Sequence, residues 1–146
     1  MNMVNAPTVA KDNGINVAES IDSKASAFTR LLTLRISGNQ STHEVHGTVF
    51  GEDDARLVRI DGRPIEAALD GHLIVSCNED VPGIIGKLGT LLGNAGINVS
   101  GLRVSPPSKG YSKAIAIWRV DQAVPAQVLK EIRSSTHLYD CKYITV

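Results

Sequence analysis

The second half of the chain begins with a strand pattern and continues as a helix. Residues 72–78 alternate in the manner of a strand, and Asp80 and Pro82 then stand where a helix should begin. Apolar residues follow at the spacing of one buried helical stripe as far as Ala95. Gly96 suits the position just past a helix end, where a positive φ favours glycine. The pattern therefore predicts a strand followed by an amphipathic helix.

The rest of this half predicts two more strands, a second helix and a final strand. The strands cover residues 97–105 and 113–120, Pro125 opens the helix, and residues 138–146 form the last strand. The turn between the first two strands contains Pro106, Pro107 and Gly110. The resulting β-α-β-β-α-β order predicts a ferredoxin-like α+β sandwich.

The first half carries one short helix pattern and several strand patterns. Asn5 and Pro7 are typical of a helix cap and first turn, and Gly14 is typical of the helix end. The strand candidates are residues 15–20, 28–37, 42–50, 56–60 and 63–67. The Asp61-Gly62 pair between the last two predicts a tight hairpin. Because one short helix is little cover for such a sheet, we expect a mainly β, α+β segment that is part of a larger domain.

Charge divides the chain at the same place as the patterns. The 146 residues carry 15 Lys and Arg against 15 Asp and Glu, so the net charge is zero. Residues 1–71 have a net charge of −3 and residues 72–146 of +3. We expect one domain over residues 1–70 and a second over 71–146. No uniform basic field exists to hold nucleic acid or an anionic membrane, so neither partner is expected.

The apolar runs and the cysteines indicate the cellular setting. The longest apolar runs are far shorter than a membrane span, and no secretory signal pattern opens the sequence. Two cysteines, Cys77 and Cys141, are too few to form a disulfide framework in a chain of this size. Both lie in strand patterns typical of small buried hydrophobic residues. A cytoplasmic location is therefore expected.

Catalytic and metal motifs are weak throughout. The glycines of residues 83–89 are too closely spaced for a phosphate loop, and we expect them to let a helix lie close to the sheet or to a neighbour. No G-x-G-x-x-G supports dinucleotide binding. His43 and His46 are three residues apart in a strand pattern, so their rings should point to opposite faces. The sequence predicts no catalytic residues, no metal and no cofactor in this chain.

A set of polar residues in the second half predicts a binding site. Asn78 and Asp80 follow the first strand and precede a helix whose N–H groups favour a carboxylate, and Asn98 begins the second strand. A zwitterionic amino acid needs an acceptor for its ammonium group and amide donors for its carboxylate. Residue chemistry alone leaves a second interpretation open, in which Asp80 and Asn98 only cap and turn the chain.

Longer runs of residues resemble one family of enzymes. Residues 78–86 (NEDVPGIIG) and 94–98 (NAGIN) closely resemble the ACT domain of the D-3-phosphoglycerate dehydrogenase family. The intervening, or allosteric substrate-binding, domain of that family is similar to four further runs, at residues 4–7, 13–15, 47–51 and 60–63. The resemblance covers nearly the whole chain in the right order.

The resemblance implies the regulatory part of an NAD-dependent enzyme that oxidises 3-phosphoglycerate, the first committed step of serine synthesis. This chain would hold a partial intervening domain and a complete ACT domain, and the catalytic domains of the parent enzyme would be its partners. Two ACT domains would pair edge to edge in a homo-oligomer, with L-serine or a related amino acid at the interface. A change in subunit pairing would then transmit the effector signal.

The resemblance also implies roles for single residues. Asn78 and Asp80 would contact the effector from one subunit and Asn98 from the other. Asp80 would take the ammonium group, while Asn98 would hold the carboxylate or hydroxyl. Pro82 and Gly83 would let the backbone pass close to the ligand. The sequence departs from the family at Asn78, where relatives carry an aromatic or imidazole ring, so the affinity and identity of the effector are expected to differ.

Three arginines form a second candidate site. Arg56 and Arg63 match basic positions of the intervening domain, which resembles one that binds anions or phosphorylated substrate, and Arg59 lies nearby. The other interpretation is a solvated basic face.

Other function classes stay open at this point. The chain could be a stand-alone amino-acid sensor, or a purely structural dimerisation module with no ligand. It could also be the regulatory part of an iron–sulfur serine dehydratase, which two cysteines argue against because such clusters are usually held by four thiolates.

Overall fold

The computed structural model describes residues 5–21, 28–107 and 112–146. Within them the chain forms three helices and eight strands. The helices are α1 (Ala6–Asp12), α2 (Ile84–Asn94) and α3 (Ala126–Arg133). The strands are β1 (Leu32–Ser37), β2 (Thr42–Phe50), β3 (Asp54–Ile60), β4 (Arg63–Ala68), β5 (His72–Asn78), β6 (Val99–Ser105), β7 (Ala114–Val120) and β8 (Leu138–Thr145).

Strands β1 to β4 form one antiparallel sheet in sequence order. The predicted hairpin between β3 and β4 is present, and Asp61 and Gly62 both have positive φ, as a type I′ turn requires. One face of this sheet is mostly apolar, although His43 and Arg63 also lie on it, and its two edges differ. Ile65 and Ala67 on β4 are buried, whereas Leu32, Leu34 and Ile36 on β1 are exposed. The expected shortage of cover therefore falls on the β1 edge.

Strands β5 to β8 form a second antiparallel sheet in the order β6-β7-β5-β8. This order, with helices α2 and α3 on one face, is the ferredoxin-like arrangement, so the predicted α+β fold is confirmed. The core between the helices and the sheet includes Ile74, Leu88, Leu92, Trp118 and Ile132. Ser76 is fully buried there, and its hydroxyl accepts a hydrogen bond from the Trp118 indole N–H at 3.2 Å. The Trp118 indole N–H therefore has an acceptor inside this core.

The first sheet covers part of the outer face of the second sheet, whereas Ile144 on the same face of β8 is exposed. Leu73, Ile115 and Ile117 pack against Ile65 and Ala67 of β4 in a separate apolar cluster. A buried arginine bridges the same seam: the Arg63 guanidinium Nη1 donates to the carbonyl oxygen of Lys113 at 2.8 Å. The two sheets therefore share a core and a hydrogen bond.

The predicted strand at residues 15–20 is wrong, since this segment pairs with no described strand. An alternating pattern alone cannot supply the hydrogen-bonding neighbour that a strand needs. Val4 and Gly110 lie outside the described residues. None of the described helices has the length and apolar character needed to cross a membrane.

Candidate functional site

The loop between β5 and α2 carries the predicted effector residues Asn78 and Asp80. Asn78 ends β5 on its helix-covered face and is 2% exposed. Its Nδ2 donates to the carbonyl oxygen of Glu79 at 2.7 Å, whereas its buried Oδ1 accepts no hydrogen bond from a described residue. Asp80, two residues on, is exposed to solvent. Gly83 caps α2 with φ +90°, a conformation that glycine adopts without strain.

Asn98 lies just before β6 and is already bonded to another side chain. Its side-chain Nδ2 donates to Asp121 Oδ2 at 2.5 Å, and its backbone carbonyl oxygen accepts the Asp121 backbone N–H at 3.2 Å. The side-chain hydrogen bond from Asn98 keeps the pKa of the Asp121 carboxyl below its usual range. A ligand that uses the Asn98 amide nitrogen would therefore share it with Asp121.

The strand register places these residues at opposite ends of one subunit. Asn78 pairs with Ala114, the first residue of β7, whereas Val99, directly after Asn98, pairs with Val120, the last residue of β7. At roughly 3.3 Å per residue, the two ends of β7 are about 20 Å apart. A small amino acid cannot span that distance, so Asn78 and Asn98 of one subunit cannot hold the same ligand.

Glu79, between Asn78 and Asp80, is held by residues at the start of β8. Its Oε2 lies 2.7 Å from His137 Nδ1, and its Oε1 accepts the Tyr139 hydroxyl at 2.8 Å. These hydrogen bonds, that from Tyr139 first, lower the pKa of the Glu79 carboxyl, and the same contact raises the pKa of Tyr139. The Lys113 Nζ lies 3.8 Å from the centre of the Tyr139 ring. The loop between β5 and α2 is thus tied to β8.

The three predicted arginines do not form a single cluster. Arg56 lines a cleft between the two sheets, where it pairs with Asp54 at 2.7 Å and approaches Glu66 at 3.8 Å. Arg59 is exposed and donates to the Gly62 carbonyl oxygen at 3.0 Å. Arg63 is buried at the seam described above.

The cleft contains two arginines that the sequence did not single out. Its volume is about 210 Å³, and besides Arg56 its walls include Arg103 of β6 and Arg119 of β7. Arg119 also pairs with Asp70 at 2.7 Å. The cleft can offer three guanidinium groups to an anion, at the cost of competing with Asp54, Glu66 and Asp70.

The two cysteines differ in burial, and the side chains of His43 and His46 form hydrogen bonds with separate acidic residues. Cys141 is 1% exposed, and burial raises the pKa of its thiol, whereas Cys77 is only half-buried, so the expectation of burial holds for one of the two. His43 contacts Asp61 and His46 contacts Glu44 through separate hydrogen bonds. Across the described parts of the chain, no three His, Cys, Asp or Glu side chains come together as a metal site would require.

The glycines of α2 do not have the role expected of them toward the sheet of their own chain, and their role toward a neighbour stays a prediction. A Cβ added to Gly86 or Gly89 would meet no described atom within 4 Å, so these glycines do not let the helix lie closer to its own sheet.

The missed contacts depend on strand register that no local pattern fixes. In the β6–β7 hairpin, the pairing nearest the turn would bring Asn98 opposite Gln122 if it continued outward unbroken, and the irregularity between Val99 and Gly101 brings Asn98 opposite Asp121 instead. The contact of Glu79 with His137 joins residues 58 positions apart, and no local pattern fixes that register. Arg103 and Arg119 face the cleft only because the other sheet docks beside them.

Comparisons with known proteins cover the chain in two parts. Residues 1–61 match the family model of the D-3-phosphoglycerate dehydrogenase intervening domain, and residues 72–136 match that of the ACT domain.

Several curated relatives are similar over nearly the whole chain. The D-3-phosphoglycerate dehydrogenase of Bacillus subtilis is 31% identical over 144 residues, which are 99% of this chain and 27% of that protein. That of Synechocystis is 29% identical over 140 residues, 96% of this chain and 25% of that protein. That of Archaeoglobus fulgidus is 31% identical over 145 residues, 99% of this chain and 27% of that protein. The chain thus spans about a quarter of the length of these relatives.

Proposed function

The chain consists of a D-3-phosphoglycerate dehydrogenase intervening-domain segment and an ACT domain, the C-terminal regulatory part of such an enzyme, and we propose that it binds L-serine between two copies of its ACT domain. Serine would then control the catalytic domains of the parent enzyme. The proposal extends to that enzyme's activity, the NAD-dependent oxidation of 3-phosphoglycerate in the cytoplasm.

The separation of Asn78 and Asn98 along β7 is the observation that carries this proposal. Because one subunit cannot bring both residues to one ligand, a site that uses both needs two subunits. Strand β6 is the edge of its sheet, with no described strand on its outer side. Antiparallel pairing of two β6 edges would bring Asn98 of one copy to the end of the joint sheet where the other copy has Asn78.

The chemistry of the loop supports separate roles for its residues. The exposed Asp80 carboxylate suits the ammonium group of serine, and the buried Asn78 Oδ1 has acceptor capacity to offer. The Asn98 amide would hold the carboxylate or hydroxyl from the second subunit. The positive φ of Gly83 keeps a side chain out of the turn beside Pro82, where the backbone would approach the ligand.

Mixing two defective variants tests the two-subunit site. Asp80→Ala and Asn98→Ala should each abolish L-serine binding measured by calorimetry, because every site in each homodimer has lost one residue. A refolded mixture contains heterodimers with one intact site, so binding should return at a reduced number of sites. The dimer mass of each sample is checked by analytical ultracentrifugation.

Other outcomes would decide against this proposal. Binding lost in both variants and not restored by mixing would place the site within one subunit. A dimer that responds to no amino acid would identify a purely structural dimerisation module. Serine binding by this chain without any effect on a joined dehydrogenase would favour a stand-alone sensor.

The arginine cleft supports a second candidate function, the binding of anions or phosphorylated substrate. We infer that Arg56 acts there together with Arg103 and Arg119, since all three line the same space. Inorganic phosphate, followed by NMR, should shift the amide signals around the cleft in the native protein but not in Arg119→Gln. Arg59→Gln is the matched control, because Arg59 bonds to Gly62 and does not line the cleft. Equal responses in both variants would overturn the assignment.

We further propose that the domains divide as residues 1–70 and 71–146. The division is supported by the separate sheets β1–β4 and β5–β8, and by Gly71, whose φ of +66° turns the chain between them.

A further inference from the structure

We propose that Arg63 of the intervening-domain segment positions the effector loop of the ACT domain (residues 78–83) by holding Lys113, whose backbone and side chain both support that loop. The effector site then has its full affinity only when the two modules are docked. The proposal rests on the proposed serine site, because its effect is on Asn78 and Asp80. Arg63 acts through other residues and need not touch the ligand, so it is a positioning residue.

The hydrogen bond between Arg63 and Lys113 lies inside the seam. Arg63 is 6% exposed, and its Nη1 donates to the Lys113 backbone carbonyl oxygen at 2.8 Å. A buried guanidinium has lost its hydration, so acceptors from the protein must replace the water. A hydrogen bond from a charged donor is also stronger than one between two neutral groups. The Lys113 carbonyl is therefore held firmly by a residue of the other sheet.

The backbone at Lys113 leads directly to Asn78. Ala114, the next residue, opens β7 and pairs with Asn78, the last residue of β5. Because the two strands are antiparallel, the residue before Ala114 lies on the side of the residue after Asn78. Lys113 thus stands beside the loop where it passes Glu79. Holding the Lys113 carbonyl fixes the strand end against which Asn78 is paired.

The side chain of Lys113 supplies a second connection to the loop. Its Nζ lies 3.8 Å from the centre of the Tyr139 ring, a cation–π contact. The Tyr139 hydroxyl in turn donates to Glu79 Oε1 at 2.8 Å. Since Glu79 is the chain neighbour of both Asn78 and Asp80, fixing its side chain also fixes the direction in which these two residues leave it.

Calorimetry with L-serine on Arg63→Met tests the proposal. Methionine keeps a long apolar stem in the seam but has no donor for the Lys113 carbonyl. The Kd should rise about threefold to tenfold, the equivalent of one hydrogen bond. Ile65→Ala is the matched control, because it loosens the apolar packing of the same strand and removes no donor, and its Kd should equal that of the native protein. An equal rise in both variants would assign the effect to general loosening of the seam and would overturn the proposal.

Tyr139→Phe tests the same connection with the seam left intact. Tyr139 is 50% exposed, so the loss of its hydroxyl should leave the fold unchanged. Removing its bond to Glu79 should raise the Kd about twofold to threefold. Combined with Arg63→Met, the rise should be smaller than the product of the two single effects, because both changes loosen the same loop. An unchanged Kd in Tyr139→Phe, or effects that multiply in the double variant, would overturn the proposal.

A measurement without ligand separates this proposal from the serine site itself. By NMR, the backbone amide signals of Glu79 and Asp80 should shift in Arg63→Met and keep their positions in Ile65→Ala. Such shifts in a protein whose native form binds no serine would refute the proposed effector and retain the positioning role of Arg63. Signals that keep their positions in Arg63→Met would overturn that role even where serine binds.

Discussion

Asn98 Nδ2 and Asp121 Oδ2 lie 2.5 Å apart, so the amide proposed to hold the effector carboxylate is bonded to a carboxylate of its own subunit. A serine carboxylate held by the second N–H of this amide would lie beside the like-charged Asp121 carboxylate. Asp121→Ala should therefore raise the affinity for L-serine by about threefold to tenfold, the equivalent of one hydrogen bond. Calorimetry measures the change, and Asp140→Ala, which alters a carboxylate elsewhere on the ACT sheet, is the control. Weaker binding by Asp121→Ala would mean that the orientation of Asn98 by Asp121 outweighs the repulsion between the two carboxylates.

Because Ser76 and Trp118 form a buried hydrogen bond, removal of the Ser76 hydroxyl should lower the stability of the protein. Ser76→Ala leaves the Trp118 indole N–H without its acceptor inside the core, which should lower the free energy of unfolding by about 1–3 kcal/mol. Urea unfolding followed by circular dichroism gives the value. Ser100→Ala, at an exposed position, should change it by less than about 0.5 kcal/mol. In a Trp118→Phe background the effect of Ser76→Ala should shrink, because no indole N–H is left to satisfy.

The two cysteines should differ in reactivity. Cys141 is buried and Cys77 is half-buried, so iodoacetamide should label one thiol in the native protein and both in denaturant. Peptide mass spectrometry identifies the labelled residue. Fast labelling of Cys141 in the native state would show that the α3–β8 packing opens readily.

The raised pKa of the Cys141 thiol also predicts a dependence of stability on alkaline pH. The folded state keeps the thiol proton to a higher pH than the unfolded state does. The protonated thiol therefore contributes its full share to the stability of the folded state below the ordinary thiol pKa, and this contribution is lost as the pH rises above it. Urea unfolding should give a lower free energy of unfolding at pH 9.5 than at pH 7. This decrease should be smaller in Cys141→Ala than in the native protein. An equal loss in both proteins would assign the effect to other groups.

Substitutions on the mostly apolar face of the β1–β4 sheet should have a large effect on stability at the β4 edge and a small one at the β1 edge. Ile65 is buried against the ACT sheet, so Ile65→Thr should lower the free energy of unfolding by about 2–4 kcal/mol. Leu34 is 55% exposed on the same face, so Leu34→Thr should change it by less than about 0.5 kcal/mol. Leu34→Thr should also bind less of the dye ANS, which reports exposed apolar surface. A large decrease in the free energy of unfolding for Leu34→Thr would show that self-association covers the β1 edge.

The sequence was sufficient for the order of elements in the second half. Periodicity and the punctuation by Pro82, Gly96 and Pro125 predicted each helix and strand to within about two residues, because these signals are local. The strand predicted at residues 15–20 failed because pairing is a property of the whole sheet.

The candidate site was predictable in its chemistry but not in its arrangement. Asn78, Asp80 and Asn98 follow from residue type and position, whereas their separation along β7 depends on long-range register. The same limit hid the contact between Glu79 and His137, and the cleft formed by Arg56 with Arg119. Arg63 was proposed for an anion because it matches a basic position of the intervening domain, yet its position is decided by the docking of two sheets, which no local pattern encodes.

The shared core at the seam limits how this ACT domain can be exchanged during evolution. Leu73, Ile115 and Ile117 lie on the face that a ferredoxin-like sheet leaves without helices, and here the neighbouring module covers them. A recombination event that moved residues 72–146 alone would transfer an uncovered apolar face to its new host. The two modules are therefore expected to be inherited as one unit, and an amino-acid sensor taken from this chain for engineering would have to include strands β3 and β4.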